Sequence, residues 1–103
     1  AMAVMLQVDF PFVGPWGADM SAAMAGLAQD IAVEPGLIWK IWTENPDTGM
    51  AGGIYCFETS AEAAAYADKH LARLASFGIT GIVAHHFAIN LPLSKLTRFD
   101  LTA

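Results

Sequence analysis

Charge is scarce in this sequence. Only 15% of its 103 residues are Asp, Glu, Lys or Arg, and five basic against ten acidic residues give a formal net charge of −5. There is no Lys/Arg cluster, which argues against nucleic acid or an anionic membrane as the partner. Cysteine is nearly missing as well. Cys56 stands alone, so no intrachain disulfide can form, and a reducing cytoplasmic setting is expected. No spacing of ligands suits zinc. Phosphate loops and dinucleotide fingerprints are absent, because Gly14-Pro15-Trp16-Gly17 lacks their spacing. A nicotinamide or flavin site built on such motifs is therefore not expected, and the site is expected to hold neither metal nor organic cofactor. No apolar run is long enough to span a bilayer. No signal peptide is expected, and Ala1 ahead of Met2 is set aside as an added residue.

Apolar residues, by contrast, make up 55% of the chain. A domain of this size has much surface for its volume and needs polar residues to cover it. With so few, a second apolar surface is expected to be buried between copies, since obligate interfaces resemble a core cut in half. The expectation is a single domain over residues 1–103 that forms a homodimer.

The pattern along the chain is quickly read. Residues 3–10 alternate, with Val4, Leu6, Val8 and Phe10 on one side and Met5, Gln7 and Asp9 on the other, which predicts a strand. Two prolines and two glycines make 11–17 a loop. Over 18–34, Met20, Met24, Leu27 and Ile31 fall in one stripe of a helix that Pro35 and Gly36 stop. Ile, Trp and Thr favour a strand over 37–44. Asn45-Pro46-Asp47-Thr48-Gly49 is a hairpin turn into a second arm, 50–58, where Gly52-Gly53 marks a bulge or a close approach to the backbone. Thr59 and Glu62 form a capping box for a helix to about Ser76, with Ala63, Ala67, Leu71 and Leu74 on its buried face. Residues 79–90 read as the last strand. The tail beyond carries apolar residues at 91, 93, 96, 99 and 101, too many for a free end.

The order β-α-β-β-α-β predicts an α+β, ferredoxin-like fold: an antiparallel sheet with two helices on one face. The other face should not stay bare. In the second strand Leu37, Trp39, Ile41 and Thr43 form the more apolar set and are expected under the helices. Ile38, Lys40, Trp42 and Glu44 are expected on the far side, against a partner subunit, unless a bulge shifts the register. The same reasoning puts His85 with Val83, Phe87 and Ile89 on the helix side, and His86 with Ala84, Ala88 and Asn90 on the partner side.

Five segments occurring in order carry a resemblance: GPWG (14–17), EPGLIWKIWTE (34–44), AGGIY (51–55), KHLARL (69–74) and LPLS (91–94). With them the chain resembles the YdhR-like mono-oxygenases, small proteins of the dimeric α+β barrel fold related to the antibiotic-biosynthesis mono-oxygenases. The resemblance implies a dimer whose two sheets close into a barrel, and a pocket in each subunit between sheet and helices.

Candidate chemistry centres on histidine. His70 lies at the edge of the second helix's buried face and resembles the helix histidine of related mono-oxygenases; an imidazole can act as general base at neutral pH. His85, if on the helix side, is the second candidate base. Trp16, Trp39, Tyr55, Tyr66 and Phe87 are the candidate substrate-binding residues, since aromatic walls hold flat apolar ligands, although any small core uses such residues. Trp42, Lys40 and His86 are expected at the dimer interface. The expected function is a cofactor-independent mono-oxygenase in which a small phenol- or quinol-like aromatic reacts with O2. The alternatives are a non-catalytic dimer that binds a small hydrophobic ligand, and a haem-binding protein of the same fold with His70 as axial ligand.

Overall fold

Local sequence signals set most of the elements in the computed structural model, which describes residues 2–101. Strand β1 is Val4–Pro11, helix α1 Gly17–Ala32, strand β2 Leu37–Asn45, strand β3 Met50–Phe57, helix α2 Ser60–Ser76 and strand β4 Val83–Ala88. A short helix, α3, follows at Leu91–Leu96. The Gly17 N–H donates to Glu44 Oε1 at 2.8 Å, so a carboxylate from β2 satisfies a free donor at the start of α1. The Thr59 half of the capping box predicted for α2 is present: Thr59 Oγ1 accepts the Glu62 N–H at 3.1 Å, while its hydroxyl donates to Glu62 Oε1 at 2.9 Å. Asn45 Oδ1 accepts the N–H groups of Asp47 and Thr48 at 3.2 and 3.3 Å, which shapes the β2–β3 turn.

The strands form one sheet in the order β2-β3-β1-β4, every neighbouring pair antiparallel. This is the predicted α+β, ferredoxin-like arrangement. Leu6, Val8 and Phe10 of β1 and Tyr55 and Phe57 of β3 make the sheet side of the core. Met20 and Ile31 of α1 and Ala63, Tyr66, Ala67 and Leu74 of α2 make the helix side. Two ion pairs join the helical layer, Asp30–Arg73 at 3.0 Å and Glu34–Lys69 at 2.5 Å. No helix among the described residues is long and apolar enough to cross a membrane.

The face assignments of β2 and β4 need correction. Leu37 lies opposite Phe57 on the helix side, but a register irregularity between Leu37 and Trp39 turns the rest of β2 over. Beyond it Lys40 pairs with Tyr55, Trp42 with Gly53 and Glu44 with Ala51, so these three face the helices, while Trp39 and Ile41 lie on the outer face with Cys56 and Ile54. In β4, His85 pairs with Gln7 and Phe87 with Met5, on the outer face; His86 pairs with Leu6 and Ala84 with Val8, on the helix side. Apolar strength did not mark the inner face because the outer face is apolar too. The fourth strand is also shorter than predicted; Ile79 and Ile82 precede it and pack partly against the core. Part of the apolar tail forms α3, which Asn90 caps by accepting the Leu93 N–H at 3.2 Å and on which Leu93 and Leu96 are exposed.

Candidate active site

Between the sheet and the two helices lies an apolar cleft with about 520 Å³ of empty space, its open mouth included. Val8 and Phe10 of β1 and Tyr55 of β3 form its floor, Met20, Met24 and Leu27 of α1 one wall, and His70 and Leu74 of α2 the other. Lys40 and Trp42 reach in from β2. Among the described residues no carboxylate lines it.

The two glycines of β3 make this packing possible. A Cβ on Gly52 would stand 1.9 Å from the Val8 carbonyl oxygen, so only glycine lets β1 and β3 approach there. A Cβ on Gly53 would stand 2.6 Å from Lys40 Cε and 3.2 Å from Tyr55 Cε1. Gly53 thus leaves the notch in which the lysine stem lies. Lys40 Nζ sits 3.3 Å from the centroid of the Trp42 ring and 4.7 Å from that of Tyr55, a cation–π arrangement. Burial, and then the charge of Arg73, lower the Lys40 ammonium to about 7.

His70 is buried, 3% exposed. Its Nδ1 lies 2.9 Å from an Arg73 guanidinium nitrogen. A guanidinium can only donate, so Nδ1 is the acceptor and the neutral ring carries its proton on Nε2. Burial, followed by the charges of Lys40 and Arg73, lowers the imidazolium to about 3. The ring is therefore neutral at pH 7 and offers the cleft an N–H donor. It stacks on Tyr66 at 5.1 Å, and the Tyr66 hydroxyl donates to the Tyr55 hydroxyl at 3.2 Å. Burial pushes the Tyr66 phenol up to about 12 and raises that of Tyr55 further, so both stay protonated.

A profile of the family described as "Putative mono-oxygenase ydhR" matches residues 5–99. The chain belongs to this family. No curated protein matches it significantly. Membership puts the ydhR-family chain in the general mono-oxygenase class.

The cleft gathers some of the residues predicted from sequence and leaves others out. Tyr55 and His70 line it, with Tyr66 packed behind them. Trp16 stands outside the lining, edge-on to Phe12 at 5.4 Å. Trp39 and Phe87 are not in the cleft: both lie on the outer face, where Trp39 shares a groove with Ile41, Arg98, Phe99 and Asp100. His85 is exposed on that face too, away from the cleft. Trp42 and Lys40, expected at the dimer interface, are cleft residues instead. His86 is on the helix side of the exposed edge strand β4. Sequence reasoning missed Lys40, Arg73 and the methionine wall of α1. The signal for Lys40 was there, a single charge between two tryptophans in an otherwise apolar run.

Proposed function

We propose that this ydhR-family protein is a mono-oxygenase that oxidises a small phenol- or quinol-like ring in the sheet–helix cleft, with electrons supplied by the substrate and not by a bound metal or flavin. One observation carries the reading: an aromatic and aliphatic cleft whose ionisable groups are a lysine amine, a neutral histidine and the Tyr55 phenol, with no carboxylate among the described residues. Such a lining favours a flat apolar ring that bears an ionisable hydroxyl. Loss of that proton makes the ring electron-rich enough to reduce O2. For a hydroquinone the balance is one O2 consumed, one oxygen atom placed on the ring, the other released as water, and the ring oxidised to the hydroxyquinone. The protein contributes desolvation, orientation and hydrogen bonding to the anion. His70 Nε2–H serves as a donor to the anion, a role its tautomer permits, whereas acting as base through Nδ1 would require displacing Arg73.

The homodimer belongs to this proposal. Ile41, Val83 and Phe87 leave about half of their surface exposed on the outer face of the sheet, at 53, 48 and 51%. A second copy laid on that face would cover them. The haem alternative finds no support in His70: an axial ligand needs a free lone pair on Nε2, and Arg73 keeps the proton there.

The test is oxygen uptake with a panel of small quinols, run on the native protein and on Met24→Trp, which fills the cleft from α1. Uptake by the native protein that the variant loses supports the proposal. Binding of the quinols without uptake would replace it with the ligand-binding reading.

A further inference from the structure

Lys40 has an unusual setting. It lies in an apolar cleft, over two aromatic rings, and no carboxylate among the described residues forms an ion pair with it. The two other lysines are Lys69, paired with Glu34, and Lys95, exposed on α3. A neighbouring cation makes its own charge harder to hold: Arg73 of α2 acts on it, and that guanidinium is already committed to Asp30 and His70. From β3 and α2 it faces Tyr55 and His70, both neutral at pH 7. The α1 wall offers it Met20, Met24 and Leu27, with no charge. The two ring faces offset part of the cost of an ammonium there, but no carboxylate among the described residues neutralises it, so the charge remains costly. Two states relieve the cost: a neutral amine when the cleft is empty, and an ammonium paired with an anion when it is filled. Gly53 completes the arrangement, since any Cβ there would push the stem out of its place over Tyr55.

We propose that Lys40 is the proton acceptor of the cleft: its neutral Nζ takes the hydroxyl proton of a phenolic ligand, and the resulting ammonium holds the phenolate beside Trp42 and Tyr55. The proton moves from ligand oxygen to lysine nitrogen, and no other reactant is needed. This rests on the aromatic-cleft reading above and assigns its base. It also gives turnover a pH dependence. Activity should rise with pH through a single ionisation near 7, as Lys40 loses its proton.

The probe is 2-naphthol, whose absorption moves to longer wavelength on ionisation. At pH 8 the free compound is a neutral phenol. Bound to the native protein it should show the naphtholate band with no proton released into a weakly buffered solution. Lys40→Met should bind it about tenfold or more weakly and leave the band unshifted. Lys40→Arg, a permanent cation, should restore the band but release one proton for each molecule bound. Lys95→Met should match the native protein. An unshifted band on the native protein, or a shifted one that survives in Lys40→Met, overturns the proposal. If 2-naphthol fails to bind at all, the aromatic-cleft reading falls. Lys40 is then judged alone by trinitrobenzenesulfonate labelling at pH 7, which should modify it before Lys69 and Lys95. Equal labelling of the three would overturn its assignment as a neutral amine.

Discussion

His70 shows how one side chain ties the site to stability. Its folded-state value near 3 lies below the 6.5 of the unfolded chain. Between those values the unfolded chain binds a proton that the folded one refuses, so stability is complete above pH 6.5 and is lost as pH falls toward 3. The contribution at stake is on the order of a few kcal/mol. His70→Gln can still accept from Arg73 but has no proton to gain. Urea denaturation at pH 7 and at pH 4 should therefore show a smaller acid loss for His70→Gln than for the native protein; equal losses would mean that the ring titrates normally in the fold. The glycine pair makes a second contrast at this scale. Gly52→Ala places a methyl group against the backbone carbonyl of Val8, whereas Gly53→Ala meets chiefly the movable end of Lys40, with Tyr55 Cε1 and the Ile41 carbonyl oxygen farther off at 3.2 and 3.3 Å. The first should cost about 2–3 kcal/mol or more and the second under about 1 kcal/mol, read from urea midpoints. Near-equal costs would show that β1 and β3 can part at Gly52.

Elements were legible in the sequence to very different degrees. The N-cap of α2 was plain from Thr59 and Glu62, and Thr59→Ala should lower stability by about 1 kcal/mol in thermal unfolding. The stripe of α1 was equally plain, because Met20, Met24, Leu27 and Ile31 face the core and nothing competes for them on the other side of the helix. The faces of β1 were legible as well, with Leu6, Val8 and Phe10 in the core; those of β2 and β4 were not. Alternation tells inside from outside only when the outside is polar, and here Trp39, Ile41 and Phe87 make the outer face as apolar as the inner one. One irregularity after Leu37 then exchanged Trp39 for Trp42 in the cleft, and it brought Lys40 along. No residue in 36–40 announces that irregularity, which arises from how β2 meets β3. The candidate site was thus half visible. Tyr55 and His70 followed from the Gly52-Gly53 pair and the helix wheel, whereas Lys40 and Arg73 required the tertiary register. The role of His70 was set by a neighbour three residues along α2, Arg73, which one helical turn brings to its Nδ1.

The whole molecule presents two apolar surfaces of different character, a cleft under its helices and a broad outer sheet face. In the proposed dimer the outer faces meet, so the native protein should sediment at twice its 11.0 kDa chain mass, and Phe87→Glu should shift it toward the monomer. A native particle of 11.0 kDa at micromolar concentration would remove the dimer from the account. The cleft lies on the helix side, so its chemistry does not depend on that outcome. Its central claim is that a ring held there gains an oxygen atom from O2. Mass spectrometry of the product formed from a quinol under ¹⁸O₂ reads this directly. The account predicts one ¹⁸O atom incorporated per product molecule by the native protein and none above background by Met24→Trp; product without ¹⁸O, or equal labelling by the filled-cleft variant, would contradict it.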